Sequence, residues 1–468
     1  MIYLLCILLS LLLVVCFIYN KKDVTAPAVI FTTGFTFQSL WACIYKKTWN
    51  LDLHINTFLV ILLGILEFVC ISFMIKRILN KLRLKSKEES EISINKIQRI
   101  NIKKYKEVIF ILFIISVSIL YVYYIVKAVG GSFNNISEII NSITKYDNIM
   151  KFSEQYQTVR IPSLISNLQL LIIACGYWFL YIIINNYLCD KKINVFEIVI
   201  VLLCVICSIL DGSRGNALMI LLAGFAYYFV LLNKKNNFTG VISKKMIRNI
   251  FIVGLLFIVV FVLYAKIMGR NMQSNSIFDY LSVYLGAEVK NLDLFLQEKN
   301  NIEKNTIWGS QTFIAIIATW GKKIGFNGYH EYKLDLPFRS VNGVGLGNVY
   351  TTFYPYIYDF GYIGCIVLVA IMAILSQVCY EIIKKIRGKK NVQICVLIYG
   401  VIYSCLLLSF FSNKFFENIF SMNFIKYIVI WFLLNLVFCE FDYKDNRIIK
   451  YFKNLIKGKR KVDEEICN

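Results

Sequence analysis

The chain has 468 residues, of which 58% are hydrophobic, 15% aromatic and 17% charged, with a mean hydropathy of +0.62. That balance excludes an ordinary soluble globule, in which about 25% of residues are charged. The formal net charge of +22 invites a nucleic-acid reading, which the placement of the charge excludes below.

Apolar runs long enough to cross a hydrocarbon core of about 30 Å, which takes roughly 20 helical residues, recur along the whole sequence. About eleven are expected, at residues 1–19, 26–45, 55–75, 107–129, 163–184, 193–210, 216–232, 250–267, 356–379, 392–411 and 422–439. The predicted fold class is an all-α polytopic membrane protein, one membrane domain over 1–468 with no internal repeat.

The first run has no basic residue before it and Lys21 and Lys22 after it, so it reads as a retained span with its N-terminus outside. A leading positive charge and an Ala-x-Ala-like cleavage site, the marks of a signal peptide, are both missing from it. Glu67 stands inside the third run, where an ionisable group is expensive; proton coupling and a hydrogen bond to a neighbouring helix are both open roles. The connector 76–106 interleaves Ile and Leu with Lys and Arg, as does the tail 440–468, and both are expected on the inner leaflet. Residues 130–162 form a small polar external loop that ends near Arg160. "CVIC" (Cys204 and Cys207) has zinc-like spacing, but it lies in an apolar run with no second pair nearby, so packing is its expected role. The 14 cysteines fall almost entirely within or at the inner ends of spans and build no external disulfide framework.

The turn "DGSRGNALM" (211–219) places Ser213 and Arg214 between two greasy runs. The second run starts there, so unpaired backbone N–H groups and the positive end of the helix dipole gather beside the guanidinium. An anion site at headgroup depth fits that arrangement, because a planar fork of donors suits pyrophosphate better than a point charge. An arginine snorkelling to the interface is the plainer alternative. Further along, "AKIMGRN" sets Lys266 and Arg270 four apart on one helix face.

A large external loop follows at 268–355, with about eight basic and about seven acidic residues. The segments expected inside hold about 33 of the 51 Lys and Arg, so the net charge reports topology and anionic lipid instead of nucleic acid. Within the loop, Ile277, Tyr280, Leu281, Tyr284 and Leu285 have helical spacing and predict an amphipathic helix on the membrane surface. "TFIAIIATW" (312–320) is too short to span and reads as interfacial or re-entrant. The Gly-, Asn- and aromatic-rich stretch 325–361 contains Arg339, which joins Arg160, Lys290 and the preceding cations in an external positive patch. Its aromatics, among them Tyr350, Tyr354 and Tyr358, divide between an interfacial belt and rings that stack on sugars, with Asn342 and Asn348 bonding sugar hydroxyls. No Asp-x-Asp pair occurs on the outer side and His54 and His330 are the only histidines, so neither metal nor cofactor is expected. Glu288, Asp293, His330, Glu331 and Asp335 are the candidate proton acceptors.

"DGSRG" opening a span, the large external loop, and "GNVYTTFYPYIYDFGYIG" (347–364) leading into the next span resemble Wzy-type oligosaccharide repeat-unit polymerases of O-antigen and capsule assembly. The pattern of spans matches over nearly the whole chain and the residues over those two stretches. The resemblance implies a metal-independent glycosyltransferase of the C type at the outer face of a bacterial cytoplasmic membrane; about eleven spans and an external N-terminus put the basic C-terminus in the cytoplasm. It implies that external arginines handle the lipid pyrophosphate, and the corresponding positions are Arg214, Arg270 and Arg339. His330 completes the catalytic candidates; Ser213, Lys266, Asp293, Asn348, Tyr350, Tyr354 and Asp359 are the substrate-binding ones. The implied partners are a polyprenyl-diphosphate-linked oligosaccharide, membrane lipid, and a chain-length regulator and flippase of the same pathway, with no nucleic acid. An Arg-x10-Gly loop signature of some members is absent at Arg160, Arg214, Arg270 and Arg339, so loops are not equated one by one. An O-antigen ligase-like transferase shares this architecture. A lipid-linked oligosaccharide flippase would line several spans with charge, and a solute transporter would show inverted repeats or broken helices.

Overall fold

A computed structural model of the chain describes residues 1–85, 97–152, 159–236, 238, 277–298, 308–324, 336–386 and 391–440. The apolar runs are helices: α1 (Ile2–Tyr19), α2 (Pro27–Ile44), α3 (Ile55–Lys85), α4 (Lys104–Ala128), α6 (Ser163–Asp190), α7 (Val195–Ser208), α8 (Gly215–Lys235), α12 (Phe353–Lys385), α13 (Ile394–Leu407) and α15 (Met422–Leu434). Among the described residues eight helices are long and apolar enough to cross a membrane, and α7 and α13 are shorter apolar helices. Together they account for every expected run except 250–267, which lies outside the described residues. The architecture is that of an all-α polytopic membrane protein.

Short connections make sequence neighbours antiparallel, so the ends of the bundle differ in chemistry. One end carries Lys21 and Lys22 after α1, Lys104 and Lys106 at the start of α4, Lys191 and Lys192 after α6, and Lys234, Lys235, Lys384 and Lys385 at the ends of α8 and α12. Polar side chains pin this basic end. Asn186 brackets Ile100, accepting from its N–H and donating to its C=O, each at 2.9 Å. Buried Asp23 accepts from Thr25, Asn233 and Tyr380.

The opposite, loop end carries the remaining elements. They are α5 (Ile136–Phe152), α9 (Ile277–Leu285), α10 (Ala287–Glu298), α11 (Ile314–Ile324), a β-hairpin of β1 (Arg339–Val341) and β2 (Val344–Gly347), and the short α14 (Lys414–Ile419). Residues 130–162 are thus more than a polar loop. Ile139, Ile140, Ile143 and Tyr146 give α5 an apolar stripe at helical spacing that packs on Tyr121 and Ile125 of α4. The hairpin is a small departure from an all-helical chain, and "VNGV" encodes it: Asn342 and Gly343 both take positive φ, as a two-residue hairpin turn requires.

The main core runs through the bundle and continues into the loop end, where α9 and α10 lie against α2 and α3. Gly361, at φ +69°, breaks α12 near its start, so 353–360 packs among the loop-end elements while the remainder runs to the basic end. The connector residues 86–96 and the tail 441–468 lie outside the described residues, as do Lys266, Arg270 and His330.

Candidate functional site

The α7–α8 turn builds the first half of the site. Asp211 Oδ1 accepts from Ser213 N at 2.9 Å, closing a local turn, and Ser213 Oγ accepts from Gly215 N at 3.4 Å. Gly212 supplies φ +82° at a point where a Cβ would lie 2.5 Å from Asp147 of α5. Only glycine permits both the turn and that approach. Arg214 is therefore delivered at the N-cap of α8, where the first-turn backbone N–H groups point out of the helix.

Two tyrosines one turn apart on α9 receive the guanidinium. Arg214 Nη1 and Nη2 each donate to Tyr280 Oη at 3.3 Å, and Nη2 donates to Tyr284 Oη at 3.4 Å. The guanidinium carbon lies 5.5 Å from the centre of the Tyr284 ring, which stacks on Phe411. Burial, with the neighbouring Tyr284 hydroxyl, raises the Tyr280 phenol despite the opposing pull of Arg214. Tyr280 therefore stays a neutral hydrogen-bond partner of the guanidinium.

Arg339 has a different setting. It forms a bidentate ion pair with Glu298, at 3.2 and 2.6 Å, and its Nε donates to Tyr350 Oη at 3.3 Å. Burial lowers the guanidinium, but Tyr350 and Glu298 outweigh it and raise it further. Tyr350 in turn donates to Pro337 O at 2.9 Å and packs on Tyr354 with ring centres 4.3 Å apart.

Both expected binding carboxylates hold the frame. Asp293 is fully buried and accepts from His54 N at 3.0 Å, Thr57 Oγ1 at 2.7 Å and Gln297 Nε2 at 3.1 Å, which ties α10 to the start of α3. Asp359 accepts from Gln311 N at 3.1 Å and Thr312 N at 2.6 Å, and so holds the segment entering α11. Several aromatics expected to meet sugars are core residues, with Tyr356 and Tyr358 buried.

Two cavities open at this end. The larger, about 590 Å³, lies among α4, α6, α8, α14 and α15 and is lined by Asp211 and Asn216, which flank Arg214 in the chain, together with Asn167, Gln169, Asn418 and Lys426. The smaller, about 190 Å³, is lined by Asn348, Tyr350 and Tyr354 with Gln311, Asn413 and Lys414. Glu417 belongs to both linings. Lys414 Nζ donates to Glu417 Oε2 at 2.7 Å, and that carboxylate more than offsets the burial that lowers the ammonium, leaving it raised.

Of the sequence candidates, Ser213 and Arg214 lie between Asp211 and Asn216 of the larger cavity without lining it, while Asn348, Tyr350 and Tyr354 line the smaller one next to Arg339. The sequence reading passed over Glu417, Asn418 and Lys426. A usable signal was present in "NKFFENIF" and "NFIKYIV", where charges interrupt apolar runs. No protein-family model matches the chain, and no curated protein and no solved structure matches it.

Proposed function

We propose that the protein is a membrane glycosyltransferase that joins polyprenyl-diphosphate-linked oligosaccharide repeat units into surface polysaccharide. In this reading the loop end faces outward from a bacterial cytoplasmic membrane and the basic end meets the cytoplasm and its anionic lipid. The observation that carries it is the 590 Å³ cavity of amides, hydroxyls and carboxylates beside the turn that presents Arg214. Its volume falls within the roughly 300–1,000 Å³ of ligand sites, and its lining has the donor and acceptor density that sugar hydroxyls need.

A hydroxyl of one unit attacks the anomeric carbon of a second chain, whose bond to the polyprenyl diphosphate breaks. The leaving diphosphate gains negative charge, which Arg214 and the N-terminal N–H groups of α8 meet. Tyr280 and Tyr284 fix the orientation of the fork, so its donors are in place before the transition state forms. The hydroxyl proton passes to a carboxylate; Asp211 and Glu417 are those lining the cavity among the described residues. Sizing the lipid-linked glycans of cells that carry wild type or Arg214→Ala tests the reading. Single repeat units accumulating outside are expected; unchanged long chains overturn it, and units trapped inside indicate a flippase.

A further inference from the structure

We propose that Glu417 is the base that takes the proton of the attacking hydroxyl, and that Lys414 holds its carboxylate in place for that step. The proposal rests on the polymerase reading above and decides which carboxylate serves it. It starts from the short stretch "NKFFEN" (413–418). Phe415 and Phe416 are buried, at 0% and 1% exposure, and anchor α14 in the core. The polar residues on either side of them go to the cavities. Asn413 and Lys414 line the smaller one, Asn418 the larger, and Glu417 both.

Among the described residues two carboxylates line the larger cavity, and their settings differ. Asp211 Oδ1 accepts from Ser213 N at 2.9 Å and closes the turn that delivers Arg214. That commits Asp211 to the side of the leaving diphosphate, where its own charge opposes the one that develops. Glu417 comes from a separate element. Its Oε2 accepts from Lys414 Nζ at 2.7 Å, a charge-assisted bond that fixes the carboxylate and leaves the lone pairs of Oε1 for a hydroxyl.

One segment links this carboxylate to the arginine. Phe411 lines the smaller cavity and stacks on Tyr284 with ring centres 6.1 Å apart. Tyr284 is also the ring 5.5 Å from the guanidinium carbon of Arg214. Residues 411–417 thus run from the aromatic support of the fork to the carboxylate that borders both cavities. In the step itself, the acceptor oxygen bonds the anomeric carbon as its O–H bond breaks and the proton passes to Glu417 Oε1. The bond from that carbon to the diphosphate oxygen breaks, and its electron pair leaves on the diphosphate. Water then takes the proton from the Glu417 carboxylic acid.

Elongation by the full-length protein in nanodiscs tests the assignment, with lipid-linked repeat units extracted from cells that lack the protein as substrate. Glu417→Gln should lower the rate roughly 10²- to 10⁴-fold, the share of a positioned base. Glu417→Asp should keep more activity than Glu417→Gln, although glutamine is the closer fit; a side chain that only packs gives the reverse order. Formate should restore part of the rate to Glu417→Ala and none to Arg214→Ala. That arm compares one protein with itself, so a partial loss of fold does not imitate it. Lys414→Arg should retain more activity than Lys414→Met, with the loss in kcat instead of KM. A Glu417→Gln rate within about threefold of wild type overturns the assignment, as does formate rescue at Asp211→Ala in place of Glu417→Ala. Elongation that needs Arg214 but survives Glu417→Gln retires the base and keeps the polymerase reading. Long chains unchanged in Arg214→Ala retire both.

Discussion

At the scale of single residues, Arg214 and Arg339 show how one side-chain type takes two roles. Arg214 donates to two phenols of α9, whereas Arg339 is matched to Glu298. Arg214→Ala should lower glycan elongation by roughly 10²- to 10³-fold, and Arg214→Lys should recover only part, since an ammonium lacks the fork. Elongation rates in membranes carrying each variant decide the matter; full activity with lysine would remove the bidentate argument. Glu288 gives a pH prediction. It is buried on α10 with Gln38 donating to Oε2 at 3.2 Å, and burial pushes its carboxyl from 4.5 up to about 8. The folded chain holds this proton more tightly than the unfolded chain. Its contribution is therefore complete below about pH 4.5 and is lost as pH rises toward about 8, at about 1.4 kcal/mol per unit. Thermal unfolding in detergent across that range should show a falling midpoint that Glu288→Gln flattens; parallel curves would contradict it. The spacing of Tyr280 and Tyr284 was legible in the sequence. Their meeting with Arg214 was not, because it joins positions 66 residues apart and depends on how α9 docks.

Among the elements, the spans were the most legible, because length and hydropathy alone fix a membrane helix. The loop end was read less well. α5 was hidden by its overall polarity, although its isoleucines keep helical spacing, and the hairpin was hidden in a Gly-rich stretch, although Asn-Gly marks it. Asp293 illustrates the limit for the site: nothing local tells a carboxylate that binds sugar from one that fastens α10 to α3. Asp293→Ala should destabilise the fold by about 1–3 kcal/mol, read as a lower unfolding midpoint in detergent. An unchanged midpoint would free Asp293 for a chemical role. Gly212→Val should dislodge α5, because the substitution conflicts with both the backbone angle and Asp147. Faster protease cutting within 136–152 is the expected sign, and unchanged protection would show that the turn tolerates a side chain.

For the whole molecule, the excess of lysines at one end of the bundle predicts sidedness. In a background without native cysteines, Ser213→Cys should react with a membrane-impermeant maleimide in intact cells. Lys22→Cys should react only after the membrane is opened. The reverse pattern would place Arg214 in the cytosol and end the proposal for a diphosphate leaving at the outer face. The two cavities have unequal volumes and one residue in common, Glu417. A side chain that borders two compartments adjusts both at once: trimming that position to alanine would enlarge each and take away the carboxylate that Lys414 holds.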